Sequence, residues 1–482
     1  MKKRPDPNKA AREIERREKQ LAGPRGRFYL PYLIFIVSLV YITDEIASQI
    51  GTLMNTEIAN DMLSHFGDSS VGMLDILSVV SVPFLALGIL YKPLSDRFGR
   101  KPFLVINTFG MAFGLLIVYL SNSIWLYVLG ACVIQFFVPH DMQAVYIMET
   151  APARHRAKLY SAVKCVAMLG MLAVPLLRRC LMRETSQWRK VYLIPAVVGL
   201  VTSLIALLLA KETDAFNRSR INYLRGDTAE NGTDASGGVI PALKFVWRHR
   251  QLRWLYIAVA FAEAGYLLTV DYQVVITYGY AQHFLRQGLF PDLAAAVESV
   301  GVHQVTAALF LYPVGCALGH LLPGFVADRK SRKAAALFSS LAAVAFFLGF
   351  MLGSRAGLPP YLVGFFSGAC VGFFWSNVDI INMMTGESSP TALRSSILAT
   401  VSVATGGGVA VSYAVTIPLL TKLGNASAGP VLLCVAVPSL IAAFAVLAAK
   451  THDTRGVDLT AVKGDEWDGP AEEKTENQLP ES

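Results

Sequence analysis

Apolar residues run along this chain in blocks of roughly 20, set apart by polar loops. Six blocks lie at 28–50, 72–91, 102–121, 124–147, 157–177 and 190–210. After a polar stretch at 211–250, six more follow at 252–279, 304–325, 334–353, 360–384, 393–418 and 428–450. A helix rises about 1.5 Å per residue, so each block can cross roughly 30 Å of hydrocarbon. Inside a bilayer every backbone polar group needs an internal partner, which many long runs supply as helices rather than as a closed barrel. The pattern predicts an all-α polytopic membrane protein with 12 transmembrane helices in two six-helix halves. A basic tail at 1–27 leads to the first half at 28–210, and a linker at 211–250 joins it to the second at 251–450. The tail at 451–482 is short, acidic and marked as disordered by its composition.

Charge agrees with a lipid solvent. The 482 residues are 54% hydrophobic and 16% charged, against about 25% charged in soluble domains. The segment ahead of the first block is long, polar and mixed in charge, unlike a cleavable signal. Lys2, Lys3, Arg4, Arg12, Arg16 and Arg17 place it in the cytoplasm, and an even number of spans returns the C-terminus to that side. The expected location is therefore a cell membrane, of bacterial inner-membrane type, crossed many times. The expected partners are a small-molecule solute, protons and lipid, with no nucleic acid, no cofactor and a monomeric protein. Cys132, Cys165, Cys180, Cys316, Cys370 and Cys434 lack metal-ligand spacing and read as small hydrophobes. No P-loop, H-E-x-x-H or G-x-S-x-G is present, so no enzyme is expected.

Two motifs occur twice, in the same order. Asp96-Arg97-Phe98-Gly99-Arg100-Lys101 follows the second block, and Asp328-Arg329-Lys330-Ser331-Arg332-Lys333 the eighth. Glu149-x-x-Pro152-x-x-x-Arg156 follows the fourth, and Glu387-x-x-Pro390-x-x-x-Arg394 the tenth. The offsets, 232 and 238 residues, are nearly equal, so the halves repeat one another. Acids and arginines clustered at helix ends can bridge neighbours in one conformation and part in another. This predicts a gating role for Asp96, Arg97, Arg100, Lys101, Glu149, Arg156, Asp328, Arg329, Arg332, Glu387 and Arg394.

With these motifs the chain resembles the major facilitator superfamily, and within it the sugar-porter branch. Asp96 to Lys101 is similar to the superfamily's motif between helices 2 and 3, with Lys92 where a Gly is usual. Tyr146-x-x-Glu149-x-x-Pro152-x-x-x-Arg156 is similar to the branch's Y-x-x-E-x-x-P-x-x-x-R, and Trp188-Arg189 is also like it. His452-Asp453-Thr454-Arg455-Gly456-Val457-Asp458-Leu459 resembles its terminal P-E-T-K-G-x-x-L, and Lys211-Glu212-Thr213 loosely resembles its P-E-S/T element. The resemblance implies alternating access to a central site between two halves. It implies that Asp44 is the helix 1 aspartate that carries the proton in proton-coupled members, with Leu129 where those members place a partnering arginine. It puts Lys164 where the family has a sugar-binding glutamine, and Phe261 and Ala262 where it has a glutamine pair.

An ionisable group at the centre of a membrane helix costs at least about 2.5 kcal/mol, so each one is a functional candidate. Here these are Asp44, Glu45, His140, Asp141, Lys164, Glu263, Asp271, His320 and Asp379. Asp44, Glu45 and Asp141 are the candidate proton carriers. Adjacent helix residues point about 100° apart, which separates Asp44, on the face of Tyr41 and Ser48, from Glu45. Lys164 has three donors and no acceptor, which suits a carboxylate better than a sugar. Equally, it can be a structural partner to Asp141, Asp44 or Glu263. Trp375, Asp379 and Asn382 share a helix face. With Asn377, Tyr41, His140, Lys164, Glu263 and Tyr266 they complete the candidate substrate contacts. Arg178, Arg179, Arg183, Arg189 and Lys190 crowd an outer loop, where they could gather anions.

The expected function is secondary active transport of a small polar organic solute, an organic acid or other metabolite, by alternating access with proton coupling. Three alternatives stay open: sugar:proton symport, proton-antiport export of organic cations or drugs, and solute sensing by a transporter-like receptor. The second alternative has its own support, because acids inside the spans outnumber the one lysine.

Overall fold

The structure, a computed structural model, describes residues 7–22, 29–54, 94–137, 142–152, 155–182, 185–225, 239–300 and 304–459, with isolated positions between 58 and 91 and at 462. Its regular elements are all helical. α1 (Pro7–Ala22) precedes α2 (Tyr29–Leu53). The first half continues through α3 (Leu94–Phe98), α4 (Arg100–Tyr119), α5 (Ile124–Phe137), α6 (Met142–Thr150), α7 (Arg156–Gly170), α8 (Ala173–Leu181) and α9 (Arg189–Leu209). The linker forms α10 (Asp214–Arg225) and α11 (Val239–Arg248). The second half opens with α12 (Arg250–Glu263), α13 (Leu267–Val270), α14 (Tyr272–Arg286), α15 (Leu293–Val300) and α16 (Thr306–Ala308). It closes with α17 (Tyr312–Arg329), α18 (Arg332–Ala356), α19 (Pro360–Glu387), α20 (Arg394–Leu423) and α21 (Ala428–Lys450).

Eight helices among the described residues are long and apolar enough to cross a membrane, at eight of the 12 expected positions. The second expected span lies almost wholly outside the described residues. The fourth appears as α5 and α6, with 138–141 between them outside the described residues. The seventh and eighth are interrupted. The chain turns at 264–266 and at Asp271 between α12, α13 and α14, and again at 309–311 ahead of α17. Such breaks are tolerated at membrane depth where protein or a cavity, not lipid, surrounds the freed backbone. Periodicity cannot reveal them, because the flanking residues stay apolar.

Lipid removes the hydrophobic drive for helix association, so close approach through small residues replaces it. α17 and α19 meet this way. A Cβ on Gly368 would lie 1.9 Å from the Tyr312 carbonyl oxygen, and one on Gly315 2.1 Å from that of Phe365. Gly368→Leu is expected to force the two helices apart. Overpacking costs about 1–3 kcal/mol or more, so the melting temperature of the purified protein should fall clearly. An unchanged melting curve would show that the close contact is dispensable.

The halves touch through α7 on α17, α6 on α19 and α3 on α20. Residues 451–459 correct the expectation of a wholly disordered tail. Thr454 is fully buried and Leu459 nearly so, packed under the ends of the membrane helices.

Candidate functional site

A cavity of about 370 Å³ lies between the halves. α2 lines it with Asp44, Glu45, Ser48 and Gln49, and α7 with Tyr160, Lys164 and Met168. Glu263 enters from the last turn of α12, at the break in that span. His320 enters from α17, and Trp375, Asp379 and Asn382 from α19. The side-chain ammonium of Lys164 sits 3.5 Å from Glu45 Oε1 and 3.5 Å from Asp379 Oδ2. It also lies 5.7 Å from the centre of the Tyr41 ring. Lys164 and Glu45 belong to the first half and Asp379 to the second, so this ion bridge spans the cavity. His320 Nδ1 is 3.6 Å from the same Asp379 oxygen. Asp44 accepts a 2.7 Å hydrogen bond from the Gln143 side-chain amide. Glu263 is 1% exposed, and its Oε2 accepts no hydrogen bond among the described residues.

The sequence-predicted residues divide accordingly. Asp44, Glu45, Lys164, Glu263, Trp375, Asp379 and Asn382 meet at one cavity. Asp44 and Glu45 line it together despite their separation around the helix, because α2 faces both α6 and α7 there. Tyr41 is buried beneath Lys164, in edge contact with Tyr160, rather than on the cavity wall. Tyr266 stands behind Trp375 with ring centres 6.1 Å apart, and Asn377 is buried off the cavity. His140 and Asp141 lie outside the described residues. Leu129 is half exposed on an outer face, so the residue facing Asp44 from the fourth span is Gln143. Phe261 is also exposed, and the next polar position, Glu263, reaches the cavity instead. Arg189 does not gather anions: it pairs with Asp61 at 2.7 Å and donates to the Ser121 carbonyl. Lys190 is exposed, Arg183 lies outside the described residues, and the side chains of Arg178 and Arg179 are likewise outside them. Sequence reasoning missed Gln143 and did not place His320 in the site. Gln143 carries no charge, and nothing local in the sequence brings it to Asp44, 99 residues away.

The duplicated motifs form two matching buried clusters at the end of the bundle. Glu149 accepts from Arg100 of its own half and Arg394 of the other, both at 3.1 Å. Glu387 accepts from Arg332 of its own half at 2.9 Å and Arg156 of the other at 3.0 Å. Asp96 pairs with Arg100 at 2.7 Å and accepts from the Ser395 and Ser396 amides at the start of α20. Asp328 pairs with Arg332 at 2.8 Å and accepts from the Ala157 and Lys158 amides at the start of α7. Each aspartate thus caps a helix of the opposite half, where the helix dipole favours an anion. The two P-E-T-like elements are equivalent too. Glu212 accepts from the Arg100 amide and Asp453 from the Arg332 amide, each at 2.9 Å. Thr213 and Thr454 donate to Glu149 and Glu387 at 2.6 and 2.5 Å. Burial pushes the Glu212 and Asp453 carboxyls above their ordinary values, against the pull of those amides. Arg97 and Arg329 are exposed and stand outside the clusters, and Lys101 touches them only through its backbone amide.

A family model for the Major Facilitator Superfamily matches residues 32–300. The chain belongs to that superfamily. It is a family of multi-pass membrane transporters, not of enzymes. The chain is 27% identical over 164 residues to the tetracycline resistance protein, class B, of Escherichia coli, covering 34% of this chain and 39% of that one. It is 25% identical over 302 residues to the alpha-ketoglutarate permease of Escherichia coli (strain K12), covering 58% and 62%. The chain thus spans between 39% and 62% of the length of the curated relatives it matches. A solved proton:xylose symporter superposes with a TM-score of 0.62 at 16% identity, covering 90% of this chain and 98% of that one. The E. coli fucose:proton symporter gives 0.58 at 14% identity, covering 89% and 100%. At the level of the fold, the likeness to the sugar-porter branch holds.

Proposed function

We propose that this chain is a twelve-span secondary transporter that moves organic cations, or drug-like solutes bearing a positive charge, in exchange for protons. The carrying observation is the charge of the central cavity. Among the described residues, the carboxyls of Asp44, Glu45, Glu263 and Asp379 line it against a single ammonium, that of Lys164, with the His320 imidazole beside them. Lys164 is already bridged by Glu45 and Asp379, so an organic acid would meet a surplus of negative charge. Trp375 and Tyr160 with Met148, Met168, Met171 and Met383 add polarizable walls that suit a flat cation. Two curated relatives are named for tetracycline resistance, which fits export of such a solute. Exchange follows from competition: protons and a cation neutralise the same carboxylates, so loading one favours release of the other. Asp44 is the proton carrier in this scheme, with Glu45 holding Lys164, and the two buried clusters are the gate.

Organic acid uptake is the second reading, favoured by Lys164 and by the permease relative. Proteoliposomes with an acid interior separate the two. Ethidium is expected to accumulate inside, whereas 2-oxoglutarate and xylose are not expected to accumulate under the reversed gradient, alkaline inside, that proton symport requires. Gradient-driven uptake of the acid, lost in Lys164→Ala, would replace the cation reading, and uptake of xylose would replace both.

A further inference from the structure

A second cavity, of about 1030 Å³, opens at the charged end of the first half, away from the central site. One wall is α1; the others are the Phe98–Pro102 corner and the end of α9 with the residues after it. Six basic side chains line it, Arg12, Arg16, Arg17, Lys19, Lys101 and Lys211, against the acids Glu13, Glu212 and Asp214. Glu13 pairs with Arg17 at 3.0 Å and Arg220 at 3.1 Å, and Glu212 accepts backbone amides. Arg12, Arg16 and Lys101 form no ion pair among the described residues. α1 is held in place as a wall: Arg17 donates to Asn217 of α10 at 2.8 Å and lies 5.0 Å over the Phe216 ring.

The other border is apolar. Phe98 is 58% exposed, Leu208 70% and Leu209 47%. Leu208 continues the outward stripe of Val197, Val201 and Leu204 on α9, a surface that belongs to lipid. Cations on one side and lipid-facing leucines on the other describe an amphipathic anion. A soluble phosphate would use the first border and leave the second bare.

We propose that this cavity holds the headgroup of an anionic phospholipid, its phosphate between Arg12, Arg16 and Lys101 and its acyl chains along Leu208, Leu209 and Phe98. Basic pockets beside membrane helices are suited to such headgroups. The site does not depend on what the central cavity carries.

The test compares phosphatidylcholine nanodiscs with and without phosphatidylglycerol. Phosphatidylglycerol is expected to raise the melting temperature of the full chain, as a ligand that binds the native state does. The rise should vanish in Arg12→Gln/Arg16→Gln and persist in Lys244→Gln/Arg248→Gln, which removes the same charge from exposed positions on α11. A titration with fluorescent phosphatidylglycerol should weaken by about tenfold or more in the first variant. If the loss of two charges detaches α1, Lys101→Gln on another wall gives the same readout. An equal rise in the first variant, or equal loss in both double variants, would overturn the site. Equal stabilisation by inorganic phosphate in detergent would also overturn it, in favour of a free-anion site.

Discussion

Asp44→Asn is expected to abolish accumulation driven by a pH gradient while exchange of labelled for unlabelled solute continues. Asparagine keeps the shape and the oxygen that accepts from Gln143 at 2.7 Å, so the local packing survives. What disappears is the proton. A neutral amide partner can bond either protonation state of Asp44, which suits a group that must load and unload. Glu45 and Asp379 differ, because protonating either would leave the shared Lys164 ammonium short of compensation. Undiminished uphill transport in Asp44→Asn, with loss in Glu263→Gln, would move the coupling role to the acid at the break after α12.

Glu149→Gln should have the second large effect, on conformation. The side chain is fully buried, and its carboxylate accepts from Arg100 and Arg394 of opposite halves, with Thr213 as a third donor. Removing one partner from a buried ionic cluster typically costs about 3–5 kcal/mol. Here the halves can part and let water reach the two guanidiniums, so the cost shifts an equilibrium rather than unfolding the chain. If about 3 kcal/mol of it is expressed this way, the open form gains roughly a hundredfold in population. Spin labels at Arg97→Cys and Lys330→Cys, exposed positions on the two halves, should report a longer distance in a background without native cysteines. An unchanged distance would mean that Glu387 and its arginines hold the gate alone.

The sequence shows the two-fold design of these buried clusters, because both motifs are written twice with their acids and arginines in order. It did not give their partners. Local spacing pairs Asp96 with Arg100, four residues on, but nothing local says that Glu149 takes Arg394 or that Asp96 caps α20. Those contacts join residues more than 200 positions apart, and the packing of the halves selects them. The two P-E-T-like elements were visible as a loose likeness, and their equivalence emerged only from their shared hydrogen bonds.

At the central site the division falls in the same place. Sequence alone determined that carboxyls and a lysine lie inside the membrane, since hydropathy sets depth, and that Trp375, Asp379 and Asn382 share a face, since helical periodicity sets direction. Only the tertiary structure decided that Lys164 is compensated by Glu45 and Asp379, which turns the cavity from anion-seeking to acidic. It also decided that Gln143 meets Asp44 and that the chain breaks beside Glu263. The physical reason is range. Depth and direction are properties of one helix, whereas the charge of a cavity is a sum over helices that only packing brings together.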